Sequence, residues 1–409
     1  MRGLYIKFKD RYRNDYYYLI EKIRLIYNYL LYTLLKIILS PLMLMLFPLY
    51  KYLYKNKIFF LADIGNGVGH LVPEFDFYYL KYNNFRKVIF VNNGHKNYDL
   101  ISSNYNFYKI FSGKYYFFII LFLSFYPRLN LVVSQTMPDE KFLINLFSNR
   151  YNRNYYFKYY NRYLQLRKKK KSFFKIYAEN KKLNNNYLNL KKKIACIHFR
   201  ENISTAVSQL SNPNNYIKSI KLLINLDYEI YFVGREKLPE SFRKLGVINY
   251  AAFSNIDLDS DINLFYASDI SIICGSGISY IPDALDKKYL YINSWHISRP
   301  GGVGNYSIFV PSLIKNNETK KLLNFSNQAK IENTGKHYHA QYLDKSQYTM
   351  IHPTEEEIYQ GLSELLQFEE KKSPEQTAFK NIIRDYGWDR SSNSKISNFF
   401  LKKYKYLIK

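Results

Sequence analysis

One segment constrains this chain more than any other: an apolar run that halts at a glycine-serine-glycine turn and resumes with apolar residues at helical spacing. It reads SIICGSGISYIPDAL, Ser271 to Leu285. The pattern predicts a buried parallel strand feeding the N-terminus of a helix. Free backbone N–H groups at such a terminus favour an anion, and glycine lets the backbone approach a ligand closely. The hydroxyls of Ser276 and Ser279 are placed to reach phosphate or ribose oxygens. The same turn also serves α/β proteins for packing alone, so this segment by itself admits both readings.

A second segment, KKKIACIHFRENIS from Lys191 to Ser204, is a basic lead-in to a strand that carries His198 and Arg200 at its carboxyl end. Open α/β sheets bind ligands outside the carboxyl ends of their strands, so two such ends with phosphate-compatible chemistry point to one crevice. Arg200 would offer a planar, bidentate fork to a diphosphate. The other reading pairs Arg200 with Glu201 or Asp227 and leaves His198 a satisfied strand-end histidine. The residues alone leave both open.

The order CIHFR, NPNNYIKSIKLLINLDYEIYFVG, INLFYASDISIICGSGISYIPDALDKKYLYIN and SNSKISNFFLKKY resembles a family of bacterial glycosyltransferases from surface-polysaccharide clusters. Members combine an H-x-R strand, an N-Y unit followed by a glycine-tyrosine strand, a G-x-S/G-G-x-S-x-I-P loop and a terminal I-S-x-x-F-L-x-x-Y. GNGVGHLVPEFDFYYL, Gly65 to Leu80, is similar to their x-G-H-x-x-x-E-x-D loop, so the resemblance runs from about residue 57 to the C-terminus. The H-x-R strand is also similar to that of fucosyltransferases that hold a nucleotide diphosphate with arginine.

This resemblance implies an α/β, GT-B-like fold with two facing Rossmann-type parallel-sheet domains, the N-terminal one for the acceptor and the C-terminal one for the nucleotide-sugar. It implies donor-binding roles for His198, Arg200, Gly275, Ser276, Gly277 and Ser279. Asp283 stands where many GT-B enzymes use a glutamate on the donor ribose. His70 and Glu74, with Asp76 behind them, are the implied bases that deprotonate an acceptor hydroxyl while Arg200 stabilises the departing diphosphate. No metal and no cofactor are expected. His337 and His339 have metal-like spacing without a third ligand nearby.

Composition sets the outer bounds. A chain of 409 residues exceeds one ordinary core, which predicts two domains. Lys and Arg number 60 against 33 acidic residues, a formal net charge of +27, which favours anionic partners. Nucleotide-sugar and an anionic membrane surface both fit, and so does a glycan or lipid-linked acceptor. Nucleic acid is not expected, because no RRM, KH or helix-turn-helix pattern accompanies the charge. Cys196 and Cys274 lie inside predicted strands and show no zinc spacing, so they read as buried apolar residues of a reducing compartment.

Residues 30–53 differ in kind: LLYTLLKIILSPLMLMLFPLYKYL is apolar, with Lys36, Pro41 and Pro48 within it and cations on both sides. Its charge-free run is shorter than the roughly 20 residues that span a bilayer, which favours an interfacial segment over a span or a packed helix. The late start of the apolar part argues against a secretory signal. The expected location is therefore cytoplasmic, on the inner face of the cell membrane.

The resulting plan is a membrane-associating helical segment over 1–55, a Rossmann-like acceptor domain over 56–150, a solvated basic linker over 151–193, a Rossmann-like nucleotide-sugar domain over 194–370 and a helical tail over 371–409. Strands are predicted at Lys57–Asp63, Lys87–Asn92, Asn130–Ser134, Ile194–Phe199, Tyr228–Gly234, Val247–Ala251, Ile270–Cys274 and Tyr289–Asn293, the last expected. Trp295 reads as a packed aromatic or a nucleotide-stacking ring, ahead of the loop Gly301–Asn305. Two other functions share this architecture: a nucleotide-sugar 2-epimerase and a membrane-bound scaffold without catalysis.

Overall fold

The computed structural model describes residues 30, 33–34, 37–49, 52, 57–62, 72–73, 76–77, 79–80, 87–92, 107–111, 131–133, 163–181, 191–200, 211–234, 236–253, 257–297, 306–333, 346–384 and 394–408. The chain divides into two compact units. Met1–Ile64 and Asn84–Asn152 form one, and Gly65–Asn83 with Arg153–Lys409 form the other.

The first unit holds a four-stranded sheet of β1 (Lys57–Ala62), β2 (Lys87–Asn92), β3 (Phe107–Phe111) and β4 (Leu131–Val133). All pairs are parallel and the order is β3-β2-β1-β4. β3 was not anticipated from the sequence. Helical residues 37–49 precede this sheet and expose nearly all their apolar side chains, Ile37, Leu44 and Met45 among them, while Met43 is buried. No helix among the described residues is long and apolar enough to cross a membrane.

The second unit is built on a seven-stranded sheet. Its strands are β5 (Lys193–His198), β6 (Tyr228–Phe232), β7 (Ile248–Asn249), β8 (Ile270–Cys274), β9 (Lys288–Ile292), β10 (Ser307–Val310) and β13 (Lys395–Ile396). They are all parallel, in the order β13-β10-β9-β8-β5-β6-β7, and β11 (Leu313–Asn316) pairs with β12 (Tyr348–Ile351) as a separate antiparallel ribbon. From β7 to β10 this is the dinucleotide-binding order, in which the strand order reverses between β5 and β8 while every strand stays parallel. Near-continuous apolar strands explain the parallel arrangement, since helices cover both faces. The four-stranded sheet repeats the first part of the same order, so both units are Rossmann-type.

Three expectations are corrected. Tyr289–Asn293 is not the last strand, because β10 and β13 extend the sheet beyond it. Residues 371–409 are not an appended tail: β13 joins the sheet, and Phe379, Ile383, Phe400, Leu401 and Leu407 are buried in its core. Glu364 ties this region down by accepting from Ser397 Oγ (2.9 Å) and the amides of Asn398 (2.8 Å) and Phe399 (2.7 Å).

The basic stretch 151–193 is not simply a solvated linker either. Its helical residues 163–169 bury Tyr163 and Leu164, and Arg167 has a side chain only 8% exposed. Arg167 donates to Asp76 Oδ2 (3.1 Å), to the carbonyls of Ala284 (2.7 Å) and Asp283 (3.0 Å), and to Asp286 (2.6 Å). Asp76 is fully buried and also accepts from Tyr163 Oη (2.7 Å), Ser172 Oγ (2.8 Å) and the Phe173 amide (2.7 Å). A buried carboxylate survives when its lone pairs are filled and a cation faces it, and here both conditions are met. Asp76, expected behind the catalytic bases, is thus the anchor that holds Gly65–Asn83 in the C-terminal unit.

Candidate functional site

Side chains with unspent hydrogen-bonding capacity gather where the strand order reverses, at the carboxyl ends of β5, β8 and β9. His198 ends β5 and is 6% exposed. Its Nδ1 lies 2.7 Å from the carbonyl oxygen of Val233, just beyond β6. A carbonyl only accepts, so Nδ1 carries the hydrogen and Nε2 presents a lone pair. That Nε2 is buried and has no partner among the described residues. Burial, with the Arg200 charge adding to it, pushes the imidazole down to about 4, against the Val233 bond and Glu236, so the ring is neutral at pH 7.

Backbone conformation makes room for this ring. Gly234 has φ +136°, and a Cβ there would stand 2.9 Å from His198 Nδ1 and 3.0 Å from Glu236 Oε2. Only glycine fits both the angle and the space. The same turn brings Glu236 to the edge of the site.

Asn293 ends β9 in the left-handed region, at φ 57°, a conformation asparagine tolerates better than most side chains. Its Nδ2 donates to Ser211 Oγ (2.5 Å), Tyr216 Oη donates to the same oxygen (3.1 Å), and the Ser211 amide donates to the Arg200 carbonyl (2.8 Å). Asn293 Oδ1 is left buried without a partner among the described residues. β8 lies between β5 and β9, so the two strands that lead to these orphan acceptors have backbones about 10 Å apart. Arg200, half-buried, follows β5 on the same edge.

Gly275 and Ser276 turn the chain out of β8 at this edge. A Cβ on Gly275 would come 3.2 Å from Tyr291 Oη, so the turn is tightly backed. Ser276 Oγ accepts from the Ile278 amide (3.3 Å), and Ser279 Oγ donates to the Ser276 carbonyl (2.7 Å). Gly277–Ser279 is a 3-10 turn and only Tyr280–Ala284 is α-helical. The two hydroxyls therefore serve the turn, and the helix behind it is short.

The sequence-derived site is thus partly assembled. His198, Arg200, Gly275 and Ser276 share one edge, with Gly277 and Ser279 in the turn that leaves it. Asp283 does not join them. Its carboxylate hydrogen-bonds Tyr289, the second residue of β9, so it sits toward the amino end of the sheet. Burial, with Asp286 and Asp76 adding to it against the pull of Arg167, pushes that carboxyl up to about 7. The expected ribose contact at Asp283 is corrected accordingly, and among the described residues the acidic side chain at the carboxyl edge is Glu236. Its only sequence signal was its place two residues past the Gly234 turn.

Trp295 is fully buried against Ile314 and stacks on His296 with ring centroids 4.4 Å apart, so it packs. His70, Glu74, Gly301–Asn305, His337 and His339 lie outside the described residues. Among the described residues no group of three His, Cys, Asp or Glu side chains is placed to hold a metal ion. Both cysteines are buried, and burial pushes the Cys274 thiol up to about 12 and Cys196 higher still.

No family model and no curated protein matches the chain. Solved structures with similarity include the glycosyl transferase family 9 protein of Veillonella parvula, at 11% identity over 76% of this chain and 98% of that one, with a TM-score of 0.44. E. coli ADP-heptose lps heptosyltransferase II is 13% identical over 77% of this chain and 100% of that one, TM-score 0.45. The iron-containing dodecameric glycosyltransferase TibC of enterotoxigenic E. coli is 12% identical, TM-score 0.37, over 60% of this chain; the chain spans 59% of TibC's length.

Proposed function

We propose that this protein is a GT-B-type glycosyltransferase that moves a sugar from a nucleotide-sugar donor to a surface-polysaccharide or lipid-linked glycan acceptor. One observation carries the reading: two buried acceptors without donors among the described residues, His198 Nε2 and Asn293 Oδ1, flank a glycine turn on the edge that holds Arg200. A ligand that meets both acceptors and faces the guanidinium supplies hydroxyl donors beside an anionic group. A sugar nucleotide diphosphate has that composition.

Within this reading Arg200 holds the diphosphate with a charge-assisted fork and gains strength as the leaving group gains charge. The neutral His198 is suited to accept from a ribose or sugar hydroxyl rather than to hold phosphate. Glu236 is the carboxylate available for a further hydroxyl. His70 and Glu74 remain the proposed bases for the acceptor. The exposed apolar helix at 37–49, with its flanking cations, supports attachment to the cytoplasmic face of an anionic membrane.

The test pairs binding with turnover. Thermal-shift screening against UDP, GDP, CMP, ADP and dTDP should single out one nucleotide, because a ligand at a hundred times its Kd adds about 2.7 kcal/mol to the folded state. Arg200→Ala should lower transfer from the matching donor by roughly 100-fold or more while the fold survives, and Arg200→Lys should restore little. Normal transfer by folded Arg200→Ala would sink the proposal. Nucleotide-sugar epimerisation without transfer would move the protein to a different enzyme class.

A further inference from the structure

Ser211 stands between two of the groups on which the donor reading depends, and no motif in the sequence marks it. It is 7% exposed and lies just ahead of the 3-10 turn Pro213–Tyr216. Its hydroxyl is saturated. The oxygen accepts from Asn293 Nδ2 (2.5 Å) and from Tyr216 Oη (3.1 Å), which fills both lone pairs, and its hydrogen goes to the sulfur of Cys274. Tyr216 is itself fully buried, with its ring centroid 5.5 Å from that of Phe199.

That saturation fixes which end of Asn293 faces the site. A hydroxyl that gives its hydrogen to Cys274 can only accept from the carboxamide, so Nδ2 turns to Ser211 and Oδ1 turns away from it. Oδ1 is the buried atom without a partner among the described residues. Turned over, the same side chain would offer a donor in place of an acceptor. Ser211 also holds Arg200 by its backbone. The Ser211 amide donates to the Arg200 carbonyl (2.8 Å), and the Arg200 amide donates to the same Cys274 sulfur that the Ser211 hydroxyl reaches. Arg200 follows β5, Cys274 ends β8 and Asn293 follows β9, so one serine joins the carboxyl ends of three neighbouring strands.

We propose that Ser211 is a positioning residue of the donor site, which sets the Asn293 carboxamide to accept a ligand hydroxyl and so makes that hydroxyl a condition of tight binding. The inference rests on the nucleotide-sugar reading and adds a substrate requirement to it. A ligand without the hydroxyl leaves Oδ1 buried and unmet, whereas a carboxamide free to turn serves both ligands alike. The contact is the same in the ground state and the transition state, so it acts on KM. Arg200, whose contact strengthens as the leaving group gains charge, acts on kcat.

Calorimetric titration of the full-length protein with ADP, UDP, GDP and CDP, each beside its 2′-deoxy and 3′-deoxy forms, measures the requirement. Ser211→Ala should bind the preferred nucleotide, or its sugar-bearing form, about tenfold more weakly, the loss expected for one hydrogen bond to a buried acceptor. In transfer assays KM should rise by the same factor with kcat within about twofold of the parent, and Ser211→Thr, which keeps the hydroxyl, should restore KM. Asn293→Gly suits the backbone at φ 57° and removes the carboxamide outright. It should show the same loss as Ser211→Ala, and the double variant should lose no more than either. Parental preference for one ribose form over its deoxy forms, lost in Ser211→Ala, assigns the hydroxyl to the ribose; a loss seen only with the sugar-bearing nucleotide assigns it to the sugar. Parental affinity in folded Ser211→Ala or in Asn293→Gly, or a fall in kcat without a rise in KM, would overturn the inference and leave the donor reading to stand or fall with Arg200→Ala. A parent that binds none of these nucleotides would overturn both.

Discussion

His198 and Asp283 are both buried, and burial moves their proton affinities in opposite directions. Folded Asp283 keeps its proton up to about pH 7, while the model-peptide value is 3.8; raising the pH across that window therefore favours the unfolded chain. Folded His198 stays neutral down to about pH 4, whereas its ordinary value is 6.5, so stability is lost as the pH falls through that interval. The two slopes oppose each other below pH 6.5, and Asp283 acts alone above it. Asp283→Asn should raise stability at pH 7.5 by on the order of 2 kcal/mol and flatten the decline there, and His198→Gln should remove the acid-side loss. Urea unfolding at pH 4.5, 6 and 7.5 measures both, and identical pH profiles in parent and variants would refute the assignment. Arg167 shows why some of this was hidden in the sequence. It stands at the head of a run of four lysines, and partners 91 to 119 residues away, Asp76, Asp286 and the carbonyls of Asp283 and Ala284, decide that it is buried while Lys168 and Lys169 are exposed.

The helix Glu355–Leu366 shows competition between local preference and packing. Thr354 and Glu357 form a capping box, and three glutamates complement the positive end of the helix dipole. Gly361 in its interior ordinarily costs about 1 kcal/mol against alanine. Here a Cβ would stand 2.7 Å from Val310 Cγ2 and 3.0 Å from Leu290 Cδ1, since the helix lies close on β9 and β10. Gly361→Ala should therefore destabilise by roughly 1–3 kcal/mol, overpacking outweighing propensity. A urea midpoint that rises instead would show that the helix lifts off without cost. Strands β2, β5, β8 and β9 were legible because each is an apolar run bounded by turn residues. β3, β10 and β13 were not, and β10 and β13 owe their form to neighbours already in the sheet. The candidate site followed the same division. His198, Arg200 and Gly275 end legible strands, whereas Glu236 and Asn293 depend on backbone turns at Gly234 and on a left-handed asparagine.

The whole molecule carries a formal charge of +27 and an apolar helix open to its surroundings. Under the proposed membrane attachment, cations would bring such a chain to an anionic leaflet at about 1 kcal/mol each near the surface, and apolar burial would then hold it there. Deleting residues 1–55 should move the protein from the membrane pellet to the supernatant with its circular dichroism unchanged, because β1 begins at Lys57. Aggregation with loss of secondary structure would show instead that the segment is core. The anchoring of Asp76 bears on how the chain matures. Gly65–Asn83 leaves the ribosome well before Tyr163, Arg167 and Ser172, the groups it serves. During synthesis its carboxylate waits in water, and the first unit is interrupted by a segment that belongs elsewhere. Neither half is therefore a contiguous gene fragment: a cut near residue 153 would take Asp76 from Arg167 and leave it only Asp286 and two carbonyls, and recombination between relatives would have to carry both pieces of the second unit together.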